Sequence, residues 1–105
     1  MHVDFRGLHI DRAESLRVHA ERRVESAVSR FSDRILTVHV RLTELNGPRG
    51  GVDKLCRVQV HGRGLDLVVE DMDADPYIAI DRATHRLGRS VRRAVDRVTD
   101  AAAGA

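Results

Sequence analysis

A chain of 105 residues, of which 42% are hydrophobic, is long enough to bury the core of one domain without disulfides or metals. Its first residues lack the apolar run of a signal peptide, no segment approaches transmembrane length, and the single cysteine, Cys56, cannot form an internal disulfide. We therefore expect a cytoplasmic protein that makes no membrane contact.

The first half of the chain predicts a strand, a helix and a second strand. Apolar and polar residues alternate over residues 2–6, which is typical of a short strand. Asp11 and Glu14 have the spacing of a capping box, and apolar residues then recur every three or four positions, which predicts a helix that ends near Phe31. A second strand follows, in which the residues expected to face the core are Leu36, Val38, Val40 and Leu42.

The second half of the chain predicts two more strands and a second helix. Residues 56–61 and 65–69 alternate apolar and polar side chains, and the glycines between them favour a tight hairpin turn. Asp75 then has the character of an N-cap, with Pro76 at the first helical position. Helical periodicity continues from there to about residue 98.

The predicted order of elements is therefore β-α-β-β-β-α. Each strand has one apolar face and one polar face, so a four-stranded sheet should bury one side beneath both helices and leave the other side in water. The first two strands can form a parallel pair across the first helix, and the later strands can form a meander. The sequence predicts a two-layer α+β domain over residues 1–98, followed by a flexible tail over residues 99–105.

Positive charge is concentrated on the second predicted helix. The whole chain has a formal net charge of only +2, yet residues 76–98 hold six arginines and two aspartates and carry +4. Five of these arginines recur at helical spacing and form an arginine stripe: Arg82, Arg86, Arg89, Arg93 and Arg97. Because close like charges repel, the stripe favours a polyanionic partner. The alternative is a solvated helix face in a protein that uses 17 arginines and one lysine.

No motif supports catalysis, a cofactor or a metal. His39 and His61 could face each other on the open side of the sheet, but no histidine pair has helical zinc spacing. The alternating aspartates before the second helix begin like a calcium loop, but Pro76 and Arg82 stand where glycine and glutamate are needed. These acids are better explained by the dipole of the second helix. We expect no enzymatic activity, no cofactor and no small-molecule substrate.

The aromatic residues restrict how this domain could recognise RNA. There is no tryptophan, and Phe5, Phe31 and Tyr77 fall at inward positions of the pattern. Sheets that recognise RNA bases stack them on exposed aromatic rings. The open side of this sheet instead offers Arg6, Arg41, Arg57, His39 and His61. An RNA partner would therefore be contacted through its phosphates, mainly by arginines of the helices.

The second helix also resembles that of a known family. The segment from Asp75 to Arg93, DPYIAIDRATHRLGRSVRR, is similar to the ribosome hibernation promoting factor and ribosome-associated inhibitor family, also called sigma-54 modulation proteins. Residues 1–7, 14–17 and 31–35 fit the same family. The likeness is to the short form of the family and covers about residues 1–98, including the order of elements.

The resemblance implies a stress factor that binds the small ribosomal subunit in the channel for messenger and transfer RNA, contacts 16S ribosomal RNA and inhibits translation. Position by position, the basic residues of the family fall on Arg23, Arg86, Arg89 and Arg93. With the rest of the stripe and Arg92, the candidate rRNA-binding residues are Arg23, Arg82, Arg86, Arg89, Arg92, Arg93 and Arg97. We expect a monomer on the ribosome that can form a homodimer when free.

A second interpretation stays open, in which the chain is a homodimeric protein-interaction module whose basic helix docks on an acidic protein. Salt-sensitive co-sedimentation with small ribosomal subunits would favour the RNA partner. Salt-insensitive binding to a protein would favour the second interpretation.

Overall fold

The computed structural model describes residues 1–8, 13–46 and 51–104, with side chains described up to residue 99. The elements, in chain order, are β1 (His2–Leu8), α1 (Ala13–Val28), a 3₁₀ helix (Ser29–Arg34), β2 (Ile35–Glu44), β3 (Lys54–Gly62), β4 (Leu65–Asp73) and α2 (Pro76–Gly104). This order confirms the predicted β-α-β-β-β-α fold of the α+β class. The predicted cap at Asp11 lies outside the described residues.

The four strands form one sheet in the order β1-β2-β3-β4. The β1 strand pairs with β2 in parallel, and the other two pairs are antiparallel. The parallel pair is connected by α1, as a crossover requires, and β2, β3 and β4 follow one another as a meander. Both predicted features of the sheet are therefore confirmed, and β4 is an edge strand that lies beside α2.

The core lies between one side of this sheet and the two helices. The alternating positions of β2 and β3 that face the helices are buried, as their apolar period predicts. Each helix contributes a buried row at steps of three or four residues: Leu16, Ala20, Val24 and Val28 from α1, and Ile80, Ala83, Leu87 and Val91 from α2. The three aromatic rings are half-buried and pack against this core. Consequently, none of the Phe5, Phe31 and Tyr77 rings is available for base stacking on the open side of the sheet.

The two helices approach each other closely at Gly88. A Cβ atom on Gly88 would lie 3.1 Å from the carbonyl oxygen of Ala27, which is tighter than most contacts of real side chains. Glycine at this position of α2 therefore allows the backbone of α1 to come near. This close approach brings the exposed residues of α1 next to those of α2.

One inward position of β2 was predicted wrongly. The β2 strand begins at Ile35, and an irregularity in its pairing with β3 shifts the register between Ile35 and Thr37. As a result Ile35 is buried, with 2% of its surface exposed, whereas Leu36 is 61% exposed. The prediction that Leu36 faces the core is wrong because a bulge interrupts the period of two. The first helix also ends earlier than predicted, at Val28, and continues as the 3₁₀ helix.

The second helix begins as predicted and ends later. Asp75 caps it, because the amide of Tyr77 donates a hydrogen bond to the Asp75 carboxylate at 2.8 Å. The helix continues to Gly104, so the predicted boundary at residue 98 is not the end of α2. The flexibility of residues 99–105 stays a prediction.

The apolar face of α2 becomes exposed to solvent near the C-terminal end of the helix. Val95 is buried, whereas Val98 is 41% exposed. Val98 lies at the turn between β3 and β4, where its Cγ2 atom is 3.8 Å from the place that a Cβ on Gly64 would occupy. A helix of 29 residues spans about 44 Å, whereas a strand of nine residues spans only about 30 Å. The α2 helix is therefore longer than the strands of the sheet on which it packs.

Candidate nucleic-acid interface

All seven arginines that the sequence nominates are exposed to solvent: Arg23, Arg82, Arg86, Arg89, Arg92, Arg93 and Arg97. Six of them lie on α2, and Arg23 lies on the neighbouring α1. The helical period that buries Leu87 and Val91 directs the arginines away from the core. The amphipathic arrangement of α2 is therefore confirmed, whereas the binding role of these residues stays a prediction.

A groove between α2 and β4 collects four of the arginines. It has a volume of about 670 Å³, and the arginines that line it are Arg82, Arg86, Arg89 and Arg93. Glu70 and Asp71 of β4 lie on the other side, and Ser90 and His85 contribute further polar groups. The groove is open and polar, which suits a charged chain better than a small apolar ligand.

A second groove lies between α1 and α2. It has a volume of about 310 Å³ and is lined by Arg23 and Ser26 of α1 and by Arg89 and Arg92 of α2, with Gly88 among its lining residues. Because Arg89 and His85 line both grooves, the two are adjacent. Six of the candidate residues thus form one continuous arginine surface: Arg23, Arg82, Arg86, Arg89, Arg92 and Arg93.

The structure does not bring the seventh candidate into this surface. Arg97 lines a separate hollow of about 310 Å³ beside the turn between β3 and β4, together with Gly64 and Asp66. The sequence pattern placed Arg97 in the stripe because it continues the helical spacing. The stripe therefore extends one turn beyond the grooves that its other members share.

Asp71 pairs with two arginines on the β4 side of the surface. Arg82 Nε donates to Asp71 Oδ1 at 3.2 Å, and Arg86 Nη2 donates to Asp71 Oδ2 at 3.1 Å. Burial raises the pKa of Asp71, but hydrogen bonds from the Met72 amide, Arg86 and Arg82 outweigh burial and hold that pKa below its ordinary value. The Asp71 side chain is therefore an ionised carboxylate beneath two cations.

Sequence reasoning missed the role of Asp71. It grouped this residue with the acids at the start of α2, which is wrong for Asp71 because the residue belongs to β4 and pairs beyond the first turn of α2. A signal was present in the sequence. Asp71 continues the period of two set by Leu65, Leu67 and Val69, so a carboxylate occupies a position that the pattern assigns to the core side of the strand.

A second carboxylate, Asp81, connects α2 to α1. Its Oδ1 atom lies 3.1 Å from Arg23 Nε and 2.7 Å from His19 Nε2. The His19 ring packs edge-on against Tyr77 with 5.1 Å between ring centroids, and the Tyr77 hydroxyl is hydrogen-bonded to Ser15 Oγ at 2.8 Å. These contacts hold Arg23 beside α2, on the α1 side of the arginine surface.

The open side of the sheet has a more balanced charge. Arg6 lies 3.8 Å from Asp4, and Arg57 lies 3.8 Å from Glu70. This balance makes the open side a useful reference for the arginine surface, since both carry exposed arginines.

The predicted histidine pair on the open side is present, with 6.0 Å between the rings of His39 and His61. Among the described residues, no three or more His, Cys, Asp or Glu side chains are grouped so that they could hold a metal ion. Cys56 is fully buried, and burial raises the pKa of its thiol to about 12, which fits a core residue. Within the described part of the chain, no helix is both long and apolar enough to cross a bilayer.

Comparisons with known proteins agree with this fold. A sequence model of the family described as Sigma 54 modulation protein / S30EA ribosomal protein matches residues 3–99. The chain belongs to this family. Ribosome association and translation regulation are the properties that fit the family, and its α+β fold is the fold seen here.

Two solved structures are similar to this chain. One is a ribosomal subunit interface protein from Coxiella burnetii, which matches with a TM-score of 0.74 at 19% identity over 89% of this chain and 96% of that chain. At that identity the likeness shows the fold alone. The other is the N-terminal domain of Thermus thermophilus Protein Y, with a TM-score of 0.69 at 30% identity over 88% of this chain and 93% of that chain. No curated protein matches the chain significantly.

Proposed function

We propose that this protein is a ribosome hibernation factor that binds the small ribosomal subunit in the channel for messenger and transfer RNA. In that position it contacts 16S ribosomal RNA and inhibits translation. Family membership supports an association with the ribosome. The observation that carries the proposal is the arginine surface, in which six exposed arginines from two helices line two adjacent grooves.

The chemistry of this surface suits a structured RNA. Guanidinium groups donate several hydrogen bonds in one plane and so match phosphate oxygens well. Folded RNA is recognised largely through its phosphates, its 2′-hydroxyls and its shape, which requires no aromatic platform. The arginine surface offers cationic donors without exposed Phe, Tyr or Trp rings, so we expect it to bind the backbone of ribosomal RNA and not to select bases by stacking.

An acidic protein fits the surface less well. Stable protein interfaces usually have an apolar centre surrounded by a polar rim. The groove between α2 and β4 is instead lined mostly by charged and polar side chains, four of which are arginines. We therefore favour RNA over an acidic protein as the partner of this surface. We also propose that the protein acts as a monomer on the ribosome, in the cytoplasm and without enzymatic activity.

Sucrose-gradient sedimentation tests this function. Purified small subunits are mixed with the wild-type protein or with the triple variant Arg86→Gln, Arg89→Gln and Arg93→Gln. The wild-type protein should sediment with the subunits, and the triple variant should remain at the top of the gradient. Surface substitutions of this kind should leave the fold intact, as circular dichroism would verify.

A matched control removes the same charge from the opposite side of the domain. The variant Arg6→Gln, Arg41→Gln and Arg57→Gln changes three exposed arginines of the open sheet face and should still sediment with small subunits. Wild-type protein that does not sediment with small subunits would overturn the proposal. Capture of an acidic protein by the wild type, at high salt and through α2, would favour the protein-interaction module instead.

A further inference from the structure

Asp71 occupies a position where the fold would ordinarily place an apolar residue. It follows Val69 on the side of β4 that faces the helices, and its partner across the strand pair is Cys56, which is fully buried. Only 15% of the Asp71 side chain is exposed. A carboxylate removed from water to this extent needs ionic partners and hydrogen bonds to remain charged.

The partners of Asp71 are two arginines of the arginine surface. Each carboxylate oxygen accepts a hydrogen bond from a different guanidinium, Oδ1 from Arg82 at 3.2 Å and Oδ2 from Arg86 at 3.1 Å. The backbone amide of Met72 donates a third hydrogen bond to Oδ1 at 2.8 Å, which fixes the carboxylate itself. Each contact uses one nitrogen of its guanidinium, so the remaining N–H donors of Arg82 and Arg86 are left for a ligand.

The geometry points to Asp71 as a positioning residue, which holds Arg82 and Arg86 together as a preformed binding site for one RNA phosphate in the groove between α2 and β4. The inference rests on the proposed function, since it assigns a role within that RNA-binding surface. It adds a residue that carries the charge opposite to the one expected for a contact with RNA.

The physical reason is that two arginines four residues apart repel each other and are individually flexible. Without an anion between them they would separate, and binding a phosphate would have to restrict both long side chains. Asp71 neutralises one of the two charges and restrains both guanidinium groups before the ligand arrives. The trio retains a net charge of +1 and lines the groove together with Arg89 and Arg93.

A positioning role for Asp71 and a purely electrostatic role predict opposite changes in RNA affinity when the carboxylate is removed. If Asp71 acts only as a negative charge near RNA, its removal raises the positive potential and strengthens binding. If Asp71 positions the arginines, its removal weakens binding although the protein becomes more positive. Asparagine is the suitable replacement because its amide oxygen can still accept the hydrogen bond from the Met72 amide.

The experiment compares the affinities of wild-type protein, Asp71→Asn and Asp96→Asn for purified small subunits at one salt concentration. Asp96 is an exposed residue of α2, so Asp96→Asn matches the change in net charge. We expect about a fivefold or greater loss of affinity for Asp71→Asn, because the neutral amide loses the ionic attraction to both arginines and the Oδ2 acceptor for Arg86, so these side chains must then be ordered on binding. For Asp96→Asn we expect unchanged or tighter binding. Binding by Asp71→Asn as tight as that of the wild type or tighter would overturn the inference.

A double-mutant cycle separates positioning from a general effect on the structure. In a background that already contains Arg82→Gln and Arg86→Gln, Asp71→Asn should have little further effect on affinity. An equally large loss in that background would mean that Asp71 acts on something other than these two arginines. Failure of the wild-type protein to bind small subunits would refute the proposed function, whereas wild-type binding with tighter binding by Asp71→Asn would refute only the role of Asp71.

A measurement on the free wild-type protein does not depend on how the variants fold. Nitrogen-15 relaxation of the arginine Nε–H groups reports the order of each side chain. The Nε–H groups of Arg82 and Arg86 should be more ordered than those of Arg89 and Arg93. Equal mobility of all four would contradict the inference, because the site would not be formed before the ligand binds.

Discussion

The salt dependence of small-subunit binding should count the arginines that reach phosphates. Among the described residues, Arg23, Arg82 and Arg86 of the arginine surface already pair with a carboxylate, whereas the other three have no such ion pair: Arg89, Arg92 and Arg93. An arginine that is already paired is partly neutralised and should displace fewer counterions from RNA. The number of effective contacts therefore lies between about three and about six.

These limits give a measurable slope. At roughly 0.7 to 0.9 counterions per contact, the logarithm of the binding constant should fall against the logarithm of salt with a slope between about −2 and about −5.5. From about 50 to about 200 mM salt, affinity should then decrease by roughly 10-fold to 10³-fold. Substitution of Arg86, Arg89 and Arg93 by glutamine should make the slope shallower by about 1.5 to 2.5.

The assay is an equilibrium titration of fluorescently labelled protein with purified small subunits, at constant magnesium and several potassium chloride concentrations. The variant that removes Arg6, Arg41 and Arg57 from the open sheet face should keep the wild-type slope. A wild-type slope shallower than about −1 would mean that the arginine surface does not bind phosphates. Equal changes of slope in both triple variants would mean that net charge, and not this surface, determines binding.

Three further predictions concern the contacts that support the surface. Tyr77→Phe removes the hydrogen bond to Ser15 and should lower the free energy of unfolding by about 0.5 to 1.5 kcal/mol in urea titrations, while small-subunit binding stays unchanged; weaker binding would mean that the hydroxyl itself meets the ligand. Gly88→Leu should force α1 from α2 at Ala27, cost about 1 to 3 kcal/mol in the same titrations and weaken binding, and a variant as stable as the wild type would contradict the close helix contact. Above the ordinary carboxyl pKa of 3.8, the wild-type protein should be more stable than Asp71→Asn by the full contribution of the ionised carboxylate. This difference should be lost as pH falls through the lower folded pKa of Asp71, and a difference that disappears already near neutral pH would refute the ion pairs.

Much of the fold follows from local periodicity. Buried Val38, Val40 and Leu42 alternate along β2 because one face of the sheet packs on the helices. Periodicity fails where the backbone departs from its regular repeat, and Leu36 is exposed because a bulge beside it adds a residue to the strand. Nothing in the sequence around Leu36 marks that bulge, since it depends on how β2 pairs with β3.

For the candidate site, the sequence predicts which residues are exposed but not how they are grouped in space. The exposure of the α2 arginines follows from helical spacing alone, because a helix that buries Leu87 and Val91 must present the intervening residues to solvent. The two grooves could not be predicted, because they depend on the distances of α1 and β4 from α2. The pairing of Arg86 with Asp71 joins residues 15 positions apart on different elements, so no local pattern contains it.

A count of net charge underestimates how cationic this surface is, because it ignores where each charge lies in the fold. Such a count treats Asp71 and Asp81 as opposition to an anionic ligand wherever they lie. In the fold, however, both are placed against arginines, Asp71 beneath Arg82 and Arg86, and Asp81 beside Arg23. A carboxylate in contact with arginines lowers the repulsion between them, so a dense cationic surface can exist at a net charge of only +2. The acidic residues next to the arginines therefore help to stabilise the surface in the free protein. At these positions, net charge alone predicts tighter RNA binding when the carboxylate is removed, whereas a positioning role predicts weaker binding.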